Sequence, residues 1–142
     1  MKLVDLNVLL YIVNEDAAEH ERVRKWWQRT LDADEPVGLA WITVLGFLRV
    51  STRSGVFPSP LSVPAACDQI DDWLSLPNVQ LVQESAHHRS VLRELLEQVG
   101  TAGNLTSDAH LAAMAICRDA TLVSCDHDFR RFLKLRWENP AA

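Results

Sequence analysis

Residues 2–13 read KLVDLNVLLYIV, and the acid inside this apolar stretch decides how it folds. Leu3 and Val4 form a very short apolar run that stops at Asp5, the pattern of a buried strand. Val8–Val13 is a second apolar run and reads as a short helix. A buried carboxylate without a partner is costly, so Asp5 wants a hydrogen-bond donor or a cation. Asn7, two residues on, is one such donor. The stretch therefore reads as strand, acid, helix, the opening of a βα unit.

The rest of the chain continues the alternation. Ala18–Leu31 places Val23, Trp26, Trp27 and Leu31 on one face of an amphipathic helix, with Asn14 or Asp16 as caps. Val37–Leu39 follows Pro36 as a second buried strand, and Thr43–Val50 is an apolar helix with Gly46 inside it. Ser54-Gly55, Pro58 and Pro60 mark a loop. Ser62 then opens a helix with Pro64 in its first turn and Ile70, Trp73 and Leu74 facing inward.

Pro77-Asn78 turns the chain into the strand Val79–Val82. Ser85 caps a helix on which Val91, Leu92, Leu95, Leu96 and Val99 recur at helical spacing, and Gly100 and Gly103 end it. Thr106 or Ser107 caps the next helix, which runs to about Cys117. Thr121–Ser124 is a strand, and Leu133–Trp137 is a final one. Strands alternating with helices imply right-handed crossovers and a central, mostly parallel sheet. The expected fold is α/β, a three-layer α/β/α sandwich spanning residues 1–142 as one domain.

Composition agrees and sets limits. The 142 residues are 48% hydrophobic and 23% charged, ordinary for a folded domain. Nineteen Asp and Glu against fourteen Lys and Arg give a net charge of -5, which disfavours coating nucleic acid through bulk positive charge. A nuclease stays open, because a metal cluster needs carboxylates. Cys67, Cys117 and Cys125 form no CxxC pair, which argues against zinc and disulfides and for a reducing cytoplasm. Val8–Val13 is too short for a signal core or a membrane span, so no membrane partner is expected.

Three acids hold positions that folding alone does not require. Asp5 follows the first strand and Asp126 follows Thr121–Ser124, so a parallel sheet brings both to its carboxyl edge, where α/β proteins bind ligands. Asp108 opens the helix before that second strand and starts near the same edge. Singly, Asp108 also suits a helix dipole and Asp126 a turn. Together they suit a hard cation with oxygen ligands, Mg²⁺ or Mn²⁺. Asp128 is a further candidate ligand, with helix capping as its other reading. The five histidines form no competing site by spacing: His87-His88 face different ways, and His110 is off the face of Asp108. No GxGxxG, Walker loop or GxSxG occurs.

These pieces resemble the PIN-domain nucleases, in particular the VapC-type toxins of toxin–antitoxin pairs. The resemblance runs from LVDLNVLLY, with Asp5 and Asn7, through LTSDAHLAAMA, with Asp108, to ATLVSCDHDFRRF, with Ser124 and Asp126. The DxDF motif and the tail LRWENP look like the mycobacterial-type branch. One departure stands out. The family carries a Glu early in the helix after the second strand, three residues before an Arg. In AWITVLGFLR, residues 40–49, Gly46 takes that Glu's place and Arg49 keeps the Arg. A close helix–helix contact is the other reading of Gly46.

The resemblance implies metal-dependent hydrolysis of RNA, with Asp5, Asp108 and Asp126 holding one or two ions. Asn7, Thr106 and Ser124 are candidates to orient these acids. Arg49, Arg53, Arg130 and Arg131, with Lys134 and Arg136, are candidate phosphate contacts, and Trp41 a candidate stacking surface. It also implies a homodimer and a cognate VapB-type antitoxin whose apolar helix lies in a groove, for which Trp26-Trp27 is a candidate wall. Because of Gly46, a catalytically weakened protein-binding module is the alternative. Phosphatases of the haloacid-dehalogenase type also place Asp after strand one, but they want a second Asp where this chain has Asn7.

Overall fold

A computed structural model describes residues 1–55 and 57–142. The elements run β1 (Lys2–Val4), α1 (Leu6–Val13), α2 (His20–Asp32), β2 (Val37–Ala40), α3 (Trp41–Ser51), α4 (Val63–Ser75) and β3 (Val79–Val82). Then come α5 (His88–Val99), α6 (Thr106–Cys117), β4 (Thr121–Val123) and β5 (Trp137–Glu138). Short 3₁₀ turns at Gly103–Leu105 and His127–Arg131 precede α6 and β5.

The five strands form one sheet in the order β3-β2-β1-β4-β5, and every pairing is parallel. The expected α/β sandwich is thus realised. Alternation of side chains across the strands explains its layers. Val4, Val37, Leu39, Val79 and Val123 join the cluster under α1 to α4, with Val8, Leu9, Trp27, Phe47 and Trp73. Leu3, Ala40, Val82 and Leu122 join a second cluster with Leu95, Met114, Phe129 and Phe132. Both faces are buried, as short apolar strands in a parallel sheet require. Among the described residues, no helix is long and apolar enough to cross a membrane.

Several local expectations are corrected. Neither Asn14 nor Asp16 caps α2, which starts at His20 after Glu19 without a side-chain cap; the Asn14 N–H instead closes α1 on the Leu10 carbonyl. Ser85 accepts from the His87 N–H in the turn ahead of α5 rather than capping the helix itself. Neither Thr106 nor Ser107 caps α6. A side-chain cap needs an extended residue, and the 3₁₀ turn delivers Leu105 to the cap position already helical, at φ −89° and ψ −2°. The final strand is Trp137–Glu138 and not Leu133–Trp137, because the His127–Arg131 turn and the buried Phe132 take up the chain and leave Leu133 exposed.

The cap at Ser62 does form: its hydroxyl accepts from the Ala65 N–H at 3.2 Å, with Pro64 in the first turn. Ser62→Ala is expected to destabilise the protein by about 1 kcal/mol. Urea denaturation, reading a lower midpoint at unchanged slope, checks this.

Candidate metal centre

β1 lies in register with β4, pairing Lys2 with Thr121, Leu3 with Leu122 and Val4 with Val123. Asp5 and Ser124 therefore leave the sheet side by side. From β1 the chain builds β2 and β3 to one side, then returns to build β4 and β5 on the other. The order reverses between β1 and β4, and the crevice at the carboxyl ends of such strands is where open α/β sheets take ligands.

Asp5 is 9% exposed and serves as the N-cap of α1. Its carboxylate accepts from the Leu6 N–H at 2.7 Å, the Asn7 amide at 3.2 Å and the Ser124 hydroxyl at 2.7 Å. Ser124, fully buried, accepts in turn from the Asn7 amide and the Asp126 N–H, each at 3.0 Å. The Asn7 side-chain oxygen accepts from the Cys125 N–H at 3.0 Å. These bonds answer the cost of burying Asp5 and lock the ends of β1 and β4 together.

Asp126 caps the following 3₁₀ turn, accepting from the Asp128 N–H at 2.9 Å. That turn aims Asp128 back toward Asp108 in the first turn of α6. Oxygens of Asp108, Asp126 and Asp128 all lie within 4.8 Å of one another. Ligands held at about 2.0–2.6 Å by one hard cation lie within roughly 5 Å of each other, so this oxygen-only set fits such an ion. Asp5 lies outside that group of three but lines the same cavity as Asp108. Among the described residues its Oδ1 accepts only from the Leu6 N–H, which leaves a lone pair for an ion.

The charges act on each other. Burial, then the carboxylates of Asp5, Asp126 and Asp128, push the Asp108 pKa up to about 6. Burial also raises Asp5; hydrogen bonds from Ser124 and Leu6 oppose this, the Asp126 charge adds to it, and the Asn7 bond opposes it again. A cavity of about 170 Å³ opens beside them, lined by Asp5, Leu6, Ile42, Thr43, Gly46, Arg49, Ser107, Asp108 and Leu111. A larger one, about 430 Å³, lies at the amino ends of β2 and β3, and among the described residues Asp34 is the one ionisable side chain lining it.

The PIN-domain profile matches residues 2–135, nearly the whole chain. The chain belongs to the PIN-domain family. This PIN domain is 44% identical over 142 residues to Ribonuclease VapC37 of Mycobacterium tuberculosis (strain ATCC 25618 / H37Rv), covering 100% of this chain and 99% of that protein. It is 39% identical over 140 residues to Ribonuclease VapC33 of Mycobacterium tuberculosis (strain CDC 1551 / Oshkosh), covering 99% of this chain and 98% of that one. It is a mycobacterial-type VapC. Among solved structures it is similar to VapBC2 from Rickettsia felis bound to a promoter DNA fragment, at TM-score 0.72 and 22% identity, covering 97% of each chain. It is similar also to FitAB bound to IR36 DNA, at TM-score 0.71 and 22% identity, covering 100% of this chain and 96% of that one. At such identities these structures speak for the fold.

In this PIN domain the remaining candidates fall as follows. Gly46 sits where α3 crosses α1: a Cβ there would meet Leu6 Cδ2 at 2.9 Å. The close-contact reading therefore holds, at the lip of the acid-lined cavity. Arg49 lines that cavity, whereas Arg53 lies beyond the end of α3 at Ser51 and is not one helical turn from it. Arg130 stacks over the Trp137 ring at 5.5 Å. Arg131 is on the same 3₁₀ turn as Asp128. Lys134 and Arg136 pair at the exposed surface with Glu94 at 2.8 Å and Asp119 at 3.0 Å.

Three expectations change. Thr106 does not orient the acids; its hydroxyl donates to the Gly103 carbonyl at 2.8 Å, because the turn before α6 offers it that acceptor. Trp26 and Trp27 belong to the core, 5% and 6% exposed; Trp26 donates to Glu138 at 2.7 Å and borders a cavity shared with Lys2, Arg29 and Thr30, so the pair does not present an apolar face to a partner. Trp41 is 51% exposed but borders a separate apolar cavity with Val44, Leu48 and Ile70, away from the acids. Spacing also missed a contact. His88 of α5 and His110 of α6 meet at 2.9 Å, with Glu84 3.6 Å from His110. Only the packing of α5 on α6 joins residues that far apart in sequence.

Proposed function

We propose that this PIN domain is a metal-dependent endoribonuclease and the toxin of a toxin–antitoxin pair. The observation that carries the reading is the convergence of Asp108, Asp126 and Asp128 at the sheet's reversal point, in a chain 44% identical at full length to a protein named a ribonuclease. Asp5, Asp108 and Asp126, joined by Asp128, would hold Mg²⁺ or Mn²⁺; the donors are all oxygen, the preference of these ions. When bound, such an ion would supply Lewis acidity toward water and neutralise charge on the scissile phosphate.

The chain's own residues do the rest. Asp108, ionised above about pH 6, would present its carboxylate to the cation. Asp5, through Ser124, holds the β4 end at a fixed height, so Asp126 meets Asp108 without searching. Asn7 fixes the Cys125 backbone beside it. In the net reaction a water oxygen bonds to phosphorus, and the ribose oxygen leaves with a proton. Arg49, Arg53, Arg130 and Arg131 contact RNA phosphates, offsetting the net charge of -5 locally. The partners are a VapB-type antitoxin and a second copy of the chain, in the cytoplasm. Solved neighbours are VapBC and FitAB assemblies, which supports the antitoxin.

The test is cleavage of total RNA. Expected is cleavage in Mg²⁺ or Mn²⁺, halted by EDTA and restored by excess cation. Cleavage indifferent to EDTA overturns the mechanism.

A further inference from the structure

The cavity beside the acids has two unlike sides. Asp5 and Asp108 line one; Ile42, Thr43, Gly46 and Arg49 of α3 line the other, with Leu6 between. We propose that the α3 side is a subsite for an RNA backbone phosphate, centred on Arg49 and opened by Gly46. The inference rests on the ribonuclease reading and adds where the substrate's next anion lies.

Charge is the first argument. The carboxylates of this cavity, Asp5 and Asp108, are on one side, and α3 offers none on the other. Among the described residues, the acids whose oxygens lie within 4.8 Å of one another gather in one group, at Asp108, Asp126 and Asp128. Asp5 is held on the side away from α3 by three donors. The one charged side chain of α3 in the cavity is a cation. Whereas Lys134 and Arg136 are paired with acids, Arg49 has no ion pair among the described residues. A guanidinium meets two phosphate oxygens at once with parallel N–H bonds.

Space is the second. Arg49 lies three residues after Gly46, on the same side of α3. With no side chain at Gly46, the cavity reaches Leu6 directly, and any Cβ would press on Leu6 Cδ2 at 2.9 Å. The resulting 170 Å³ compares with about 30 Å³ for one water, room for a phosphodiester group. The start of α6 is the third. It begins without a side-chain cap, and its first-turn residues Ser107 and Asp108 border the same space. Ser107 carries a hydroxyl that can donate to an anion, and a helix start favours one. An RNA strand crossing the site would place one phosphate at the three acids and its neighbour at Arg49.

The experiment uses a fluorescein-labelled single-stranded RNA, with binding read by anisotropy in EDTA over a salt series, so that no turnover is needed. Arg49→Ala is expected to weaken binding about tenfold at low salt. It should also flatten the slope of log affinity against log salt by about 0.7, one phosphate contact on a single strand. Arg49→Lys should keep the slope with part of the affinity. Gly46→Glu should mimic Arg49→Ala, because the new carboxylate lies one turn from Arg49 and fills its space. Mn²⁺ titration followed by electron paramagnetic resonance should give one tight ion per chain, unchanged in Arg49→Ala. An unchanged salt slope in Arg49→Ala overturns the subsite. So do two tight ions per chain with the second tightened by Arg49→Ala, since the α3 side is then a cation site. Wild-type protein that loads Mn²⁺ and leaves RNA intact overturns the ribonuclease reading, a separate result from either.

Discussion

Asp126→Asn is expected to lower kcat/KM for RNA cleavage about a thousandfold, with the fold intact. A thousandfold is about 4 kcal/mol of transition-state stabilisation. The substitution is chosen because Asn keeps an acceptor for the Asp128 N–H, the 2.9 Å bond that shapes the 3₁₀ turn, while removing a ligand charge. Asp5→Ala would be less clean: it strips the acceptor from the Leu6 N–H, the Ser124 hydroxyl and the Asn7 amide together, in a buried place. Ser124→Ala is the graded comparison. It leaves the acids in place but removes the bridge between Asp5 and the Asp126 backbone, and losses of about 10–100-fold are usual for such supports. Initial rates beside circular dichroism spectra check both. Activity of Asp126→Asn within tenfold of wild type would remove Asp126 from the reaction.

The layers of the fold were readable because parallel strands buried on both faces write themselves as short apolar runs. The place of Asp5 and Asp126 followed, since an acid directly after a strand can only emerge at its carboxyl edge. Asp128 needed the structure: its nearness to Asp108 depends on the 3₁₀ turn at His127–Arg131, and DHDFRR carries no apolar period to announce that turn. The same turn displaced the last strand to Trp137–Glu138. Trp26 and Trp27 misled as a groove wall because an amphipathic face looks alike whether a core or a partner covers it. Arg53 fell off α3 because the helix ends at Ser51, and terminal turns are the least determined part of a periodic pattern. Contacts between helices, such as His88 with His110, leave no local trace at all. Gly46 was legible twice over, as an absent acid and as a tight crossing, and the structure joins the two readings in one cavity wall.

Asp108→Asn is expected to stabilise the protein in EDTA at pH 7.5 and to abolish its stabilisation by Mg²⁺. Burial and the surrounding carboxylates raise Asp108 from an ordinary 3.8 to about 6 in the folded state. Between those two values the native chain binds more protons than the unfolded one, so stability falls as pH rises through 6 and the penalty is complete above it. A shift of that size caps the penalty at about 3 kcal/mol; partial exposure of the carboxyl reduces it to about 1–2 kcal/mol. Asp5 is raised in the same sense and adds to the trend. Metal-free wild type should therefore melt higher at pH 5 than at pH 7.5. The substituted amide carries no charge, so the variant should gain about 3–8 °C in Tm at pH 7.5 and lose part of that pH dependence. The same repulsion is what a cation relieves. At a hundred times its dissociation constant, Mg²⁺ should stabilise wild type by about 2.7 kcal/mol. Removing one ligand charge should erase most of that gain while leaving the metal-free protein more stable. Thermal melts at both pH values, with EDTA and with Mg²⁺, give the four numbers required for each protein. A variant that melts below wild type in EDTA, or that keeps the full Mg²⁺ shift, would place Asp108 outside the cluster's electrostatics and its ion.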